Sequence, residues 1–294
     1  MDAVAYMLRT HNDLLGLLDA FAIHHAASIG YIGAIRVSCN RLANYLGRHP
    51  AVSELDPLVL SSFVRHSEET RSPATARKHR AHLLVLLRFA ADFGLIPSCP
   101  ESRKIRCPKL PAPMPTAWTV EEVRRIIAAA EKIPGRFRDG TPRGRYFALL
   151  LRIAWESGLR RSDCFRLRTG DLSGCRAVIR MRKTGEVHSF DLHRKTAREF
   201  VALAHVRHRE DVLALPGGLA SYRYWWKWIK RIAGIKSMPR QMLHQIRRSG
   251  ATEWARVDMA QVSPYLGHKD ETMKRHYIDV TRLPCRSRRL PIIR

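Results

Sequence analysis

Four short stretches in the second half of the chain set chemically capable side chains beside breaks in the hydrophobic pattern. In GLRRSDCFRL (158–167), Arg160 follows a glycine that closes an apolar run, and Ser162-Asp163 can open the next segment. Lys183 lies in RKTG, at the tip between two alternating segments. HQIR places His244 and Arg247 three residues apart, on one face of a helix. YLGHKDETMKRHYID carries His268 after Gly267, with Tyr277 nine residues further on. These are fixed cations, proton carriers near neutral pH and a phenol, types suited to an anion such as a phosphate. Taken singly, each has a plainer reading. Arg160 is then a surface arginine, Lys183 a solvated residue guarding a sheet edge, and His244 with Arg247 a basic face without catalysis. His268 is a solvated turn residue and Tyr277 a half-buried core tyrosine.

The charge of the whole chain weighs in the same direction. Its 294 residues hold 52 Lys+Arg against 26 Asp+Glu, a formal net charge of +26. At 45% hydrophobic residues it can bury sizeable cores, so it is not a disordered basic tail. Such an excess repels itself unless a polyanion offsets it, and nucleic acid is the usual one. An enzyme for a small anion needs only a local basic pocket, so most metabolic enzymes are disfavoured. No apolar run reaches spanning length, and the N-terminus shows no export pattern. The expected location is the cytoplasm, on the nucleoid, or its host-cell equivalent, with no membrane partner. Cys39, Cys99, Cys107, Cys164, Cys175 and Cys285 show no metal-ligand spacing and read as reduced thiols, a Cys99–Cys107 cross-link being the alternative. No metal and no cofactor is expected.

The composition divides the chain into two parts. Residues 1–117 carry 14 basic and 9 acidic side chains, net +5, while 118–294 carry 38 and 17, net +21. Between them Pro108, Pro111, Pro113 and Pro115 favour an extended connector. The expected division is 1–107, a linker at 108–117, and 118–294 with a short tail.

The first part reads as helical. LLGLLDAFAIHHAA keeps helical spacing, and IGAIRVSCNRLANYLG is expected to bury Ile32, Ile35, Val37, Leu42 and Leu46 and to stop at Gly47. Asp56-Pro57 predicts a short helix from Leu58 to Val64, and Ser72-Pro73 a longer one to Gly94. That last helix opens with Arg77, Lys78 and Arg80, placed to meet phosphates or simply to be solvated.

The second part is mixed. Thr119 and Glu122 form a capping box before VRRIIAAAEK, and RYFALLLRIAWESG is an apolar helix ending at Gly158. CRAVIRMRKTGEVHSFDL alternates about Thr184-Gly185, the pattern of a β-hairpin with Lys183 near its tip. HRKTAREFVALAHV, SYRYWWKWIKRIAG and PRQMLHQIRRSGATEWAR are further helices. The fold class is mainly α with a small β-sheet.

In this order and spacing the four stretches resemble the tyrosine recombinase (phage-type integrase) family. GLRRSD matches its first-arginine box, RKTG its hairpin lysine, HQIR its His-x-x-Arg box, and LGH with Tyr277 its closing box. Nearly the whole chain is covered, in the two-domain form seen in Xer-type recombinases. The resemblance implies a helical core-binding domain and a mixed α+β catalytic domain, together a C-shaped clamp on duplex DNA. It implies DNA cutting and rejoining through a 3′-phosphotyrosyl enzyme, without metal or ATP. Tyr277 is then the nucleophile, needing a base or surrounding cations because a tyrosine phenol ordinarily ionises near pH 10. Arg160 and Arg247 give forked bonds to the non-bridging oxygens, His244 and His268 add donors, and Lys183 protonates the leaving 5′-oxygen. Arg77, Lys78, Arg80, Arg161 and Arg248 are the DNA-binding candidates.

By the same resemblance the partners are double-stranded DNA and three further copies, a homo-tetramer on two DNA sites, with an accessory directionality factor as a further candidate. Arg161 and Arg248 depart from the residue types commoner in the family, and the Arg247–His268 interval is short, which predicts a tight turn near Asp258. After Tyr277 the basic tail holding Leu290-Pro291-Ile292-Ile293 is either frayed or docked on a neighbouring protomer. At this length an additional N-terminal arm-binding domain is not expected. The rival functions are a type IB topoisomerase-like relaxing enzyme, a catalytically silent integrase-derived DNA-binding factor and, least specific, a generic basic RNA-binding protein.

Overall fold

The computed structural model describes residues 13–112, 114–235, 242–267 and 276–283. The chain divides into two compact units, one ending at Ala112 and one beginning at Pro113.

The first unit is helical. Asp13 caps α1 (Leu14–His24), its Oδ1 accepting from the amides of Leu15 and Gly16 at 3.1 and 2.8 Å, donors that a helix start leaves open. Ser28 caps α2 (Ile29–Leu46), which stops at Gly47 in the left-handed conformation. Asp56 with Pro57 starts α3 (Pro57–Thr70), and Ser72 with Pro73 starts α4 (Pro73–Asp92). Leu14, Leu17 and Leu18 meet Ile35, Leu42, Leu60, Phe63, Leu83 and Leu87 in one core. Inside it the Ser38 hydroxyl lies 2.8 Å from Nδ1 of His79 and 2.8 Å from Nδ1 of His82. Burial lowers the proton affinity of both rings below the ordinary histidine value.

Two sequence expectations are corrected here. Val37 is 54% exposed, because Ile35, Ser38, Cys39 and Leu42 turn inward and leave it on the outer face of α2. The helix expected at Leu58–Val64 runs on to Thr70, since Ser67 is buried on the same face and Arg65 pairs with Glu69 one turn later at 2.9 Å.

The second unit is built around one apolar helix. Thr119 and Glu122 form the capping box of α5 (Val120–Glu131), the Thr119 hydroxyl accepting from the Glu122 amide at 3.0 Å and the Glu122 carboxylate from the Thr119 amide at 2.8 Å. Next come α6 (Arg143–Ser157) and the single-turn α7 (Arg161–Cys164). An antiparallel sheet follows in the order β1 (Leu172–Ser173), β2 (Arg176–Arg180), β3 (Val187–Asp191), with Ile179 opposite His188. Then come α8 (Arg194–Arg207), α9 (Gly218–Ala233), α10 (Met242–Val257) and α11 (Val262–Leu266).

Tyr146, Phe147, Leu149, Leu150 and Leu151 of α6 have no exposed surface, and α5, α8, α10 and β3 pack around them. A smaller apolar cluster joins Ala251 and Ala255 of α10 to Val262, Tyr265 and Leu266 of α11, and Tyr277 and Ile278 belong to it. The turn expected near Asp258 is capped by Asp258 itself, whose Oδ1 accepts from the Ala260 amide at 2.9 Å. Cys99 and Cys107 are free thiols, so the cross-link is not formed. Cys285 and the rest of the tail lie outside the described residues. No described helix is long and apolar enough to cross a membrane.

Candidate active site

The end of α6 sets the first corner. Gly158 turns in the left-handed conformation (φ 62°), and a Cβ there would lie 2.4 Å from the Tyr265 carbonyl oxygen, so only glycine fits. Two residues later Arg160 stands at the N-cap position before α7, half-buried, and its Nη1 reaches the Met181 sulfur at 3.2 Å. Asp163 is buried on α7, where its Oδ1 accepts from the Arg182 amide at 3.0 Å. That bond ties the first-arginine corner to the hairpin.

The hairpin turn follows directly. The Met181 amide donates to the Glu186 carbonyl at 2.8 Å and the Gly185 amide to the Met181 carbonyl at 2.9 Å, which closes the turn and leaves Lys183 exposed at the tip. Alternation along β3 points His188 and Phe190 inward, and His188 is 4% exposed. Its Nε2 lies 3.1 Å from the Ser157 carbonyl oxygen. Nothing in the motifs singled out His188. The available signal was a histidine at an inward position of an alternating strand.

Helix α10 brings the second pair. Arg247 has no exposed surface, and its guanidinium donates from Nη1 to the Gly158 carbonyl and from Nη2 to the Leu266 carbonyl at 2.7 Å. It therefore clamps the corner before Arg160 to the end of α11. Its Cζ stands 5.1 Å from the centroid of the Tyr277 ring. Burial lowers its proton affinity, while the neighbouring Tyr277 acts in the opposite sense. His244, half-buried one turn earlier, holds its ring 5.5 Å from that of Tyr277. Burial, then the charges of Arg248, Arg247 and Arg160, push its pKa down to about 4, so the imidazole is neutral at pH 7.

Tyr277 is buried, and its backbone is tied to α10. The Thr252 hydroxyl donates to the Tyr277 carbonyl at 3.5 Å and accepts from the Asp279 amide at 3.0 Å. Asp279 Oδ2 accepts from the Ala117 amide at 2.9 Å, which fastens this segment to the start of the unit. Arg160, His244, Arg247 and Tyr277 are thus gathered within one chain. His268 lies outside the described residues.

Of the DNA-binding candidates, Arg77 and Lys78 are exposed on the first turns of α4, whereas Arg80 is half-buried and donates to the Ser102 carbonyl. Arg161 on α7 and Arg248 on α10 are half-buried beside the site.

The phage integrase family model matches residues 117–283. The chain belongs to that family. Curated relatives of the chain include the tyrosine recombinase XerA of Thermococcus kodakarensis, 28% identical over 223 residues, or 69% of this chain and 72% of the relative. Among solved structures, a lambda integrase dimer bound to a COC′ core site aligns over 98% of this chain and 84% of its own, at a TM-score of 0.73 and 16% identity. A lambda integrase tetramer bound to a Holliday junction aligns over 92% and 82%, at a TM-score of 0.70 and 15% identity. Membership makes the protein a tyrosine recombinase, an enzyme of site-specific DNA breakage and rejoining.

Proposed function

We propose that strand cleavage here proceeds by in-line attack of the Tyr277 hydroxyl on a DNA phosphate, with Arg160 and Arg247 on the non-bridging oxygens. The bond from phosphorus to Tyr277 forms as the bond to the 5′-oxygen breaks, leaving a 3′-phosphotyrosyl enzyme. The phosphorane carries extra negative charge, and rigid cations stabilise it more than they stabilise the ground state. Arg247 is held rigidly by two backbone carbonyls, so little reorganisation is needed when charge develops. His244 stands beside Tyr277 to take the phenolic proton once a bound phosphate offsets the arginine charges that lower its proton affinity, and His268 adds a donor. Lys183, on the hairpin tip, gives its proton to the leaving 5′-oxygen. Rejoining reverses each transfer, and the phosphotyrosyl bond conserves the energy of the one broken, so neither ATP nor a metal is required.

The observation that carries this reading is the pair of rings and guanidinium, Arg247 at 5.1 Å and His244 at 5.5 Å from the Tyr277 ring. On the scale of assembly, four protomers hold two duplex sites and exchange strands in pairs, in the cytoplasm on the nucleoid or in the host-cell equivalent, with an accessory factor setting direction. The tetrameric lambda integrase on its Holliday junction supports that assembly by analogy of fold.

The test is covalent capture. A random-sequence pool of nicked duplexes is incubated with wild type and with Tyr277→Phe, then denatured. Wild type is expected to retain a subset of duplexes and Tyr277→Phe none. Binding without any adduct across the pool would point to a silent DNA-binding factor. Relaxation of supercoiled plasmid without site-specific joining would point to a topoisomerase.

A further inference from the structure

His188 is a buried histidine that none of the roles above employs. A carbonyl oxygen only accepts, so the 3.1 Å contact with Ser157 requires that Nε2 carry a proton. The ring is therefore the Nε2–H tautomer whenever it is neutral. Its other edge presses on the turn after α11. A Cβ at Gly267 would fall 2.9 Å from His188 Nδ1 and 2.9 Å from the Met181 methyl. Met181 in turn carries the Arg160 contact at 3.2 Å. His188 and Met181 thus form a plug touching the hairpin that bears Lys183, the α6 corner that leads to Arg160, and the turn that precedes His268 in sequence.

Arg247 clamps the same corner and turn, through Gly158 and Leu266. The charged groups facing the ring are Arg247 from α10, Arg160 from the corner and Asp163 from α7; burial first, and then the two arginines, disfavour a second proton. The Ser157 carbonyl and Asp163 act the other way, and the net direction is downward.

We propose that His188 is a positioning residue for strand cleavage: while neutral it holds the Arg160 corner and the Gly267 turn against the hairpin, and a second proton loosens them. That proton would sit on Nδ1, the nitrogen that lies beside Gly267, and would add a third positive charge near Arg160 and Arg247.

The inference rests on Tyr277 as the nucleophile, and two measurements separate the two claims. The first is imidazole nitrogen NMR of the full chain without DNA. It should show His188 as the neutral Nε2–H tautomer at pH 7, titrating below the ordinary histidine value. A charged ring at pH 7, or the Nδ1–H tautomer, overturns the proposal whatever the DNA result.

The second is single-turnover cleavage of a nicked duplex recovered by covalent capture, as a function of pH. His188→Gln sets an amide donor near the Nε2 position and cannot titrate. It should cleave within about threefold of wild type at pH 8 and lose less rate than wild type on acidification toward pH 5.5. His188→Leu lacks the donor and should cleave about tenfold more slowly at pH 8 with DNA affinity unchanged. Superimposed pH profiles for wild type and His188→Gln overturn the proposal, as does a fall in DNA affinity that matches the fall in rate for His188→Leu. Absence of any wild-type adduct, by contrast, overturns the Tyr277 reading and leaves the NMR result to decide the tautomer and charge of His188.

Discussion

Arg247 shows how far one residue can bind a site together. A guanidinium with no exposed surface is strongly unfavourable unless its donors find acceptors, and here two are met by carbonyls at the C-terminal ends of α6 and α11. Both carbonyls lie where a helix ends and leaves acceptors open, so the arginine satisfies them as they satisfy it. Arg247→Met should remove both bonds, leave two buried carbonyls wanting, and lower folding stability by about 2–4 kcal/mol. Urea denaturation measures that loss. Arg247→Lys should recover part of the stability, because an ammonium can reach one carbonyl, yet cleave at least about a hundredfold more slowly, since a single point charge cannot fork onto phosphate. Equal recovery of stability and cleavage by lysine would show that charge alone suffices.

At the scale of elements, close approach of α10, α11 and the α6 corner is what glycine makes possible. Tyr265 of α11 donates its hydroxyl to the Trp155 carbonyl at 2.9 Å, and a Cβ at Gly250 of α10 would lie 2.0 Å from that hydroxyl. Gly250→Ala is expected to destabilise the unit by about 1–3 kcal/mol despite the better helix propensity of alanine. Tyr265→Phe in the same background should restore part of it, and thermal melting of the single and double variants reads the coupling. Gly250 was invisible as a special position, because a glycine inside a helix announces neither a clash nor its partner.

Other elements were legible for stated reasons. Asp13, Ser28, Asp56, Ser72 and Thr119 mark helix starts, because a cap is a local bond between neighbours in sequence. Asp56 and Ser72, each followed by proline, and Thr119, followed by Glu122 three residues on, are legible as starts from sequence alone. Strand β1 is two residues long, too short for any alternation to register. Arg160, His244, Arg247 and Tyr277 could be picked out by spacing, but the carbonyl clamp on Arg247 and the ring of His188 depend on contacts between distant segments. Val37 is apolar yet exposed, because apolarity alone does not say which side of a helix meets a neighbour.

For the whole molecule, protonation and charge set the working conditions. His79, His82, His188 and His244 all bind protons less readily in the folded chain than histidine ordinarily does. A histidine with a lowered folded value leaves stability intact above its unfolded value near 6.5 and loses it as pH falls toward the folded one. For His244 that window reaches down to about 4. Chemical denaturation at constant ionic strength should therefore show stability declining between about pH 6.5 and 4, and replacing His79 by Gln should flatten part of that decline. A slope unchanged by that substitution would mean that His79 binds protons equally in the folded and unfolded chain.

The last expectation concerns the net charge of +26. Backbone binding releases counterions, so the logarithm of affinity should fall linearly with the logarithm of salt, by about 0.9 for each phosphate neutralised. Most of the excess lies in residues 118–294, yet Arg77 and Lys78 are exposed on α4 in the other unit. If they meet phosphates, Arg77→Gln with Lys78→Gln should lower the salt slope by about 2, one phosphate each. The cleavage rate at saturating DNA should change far less than the affinity, because neither residue lies in the unit that gathers Arg247 and Tyr277. Filter binding of the captured duplex across a salt series measures the slope. A slope unchanged by the double substitution would make those two cations a solvated helix end and assign the phosphate grip to the second unit alone.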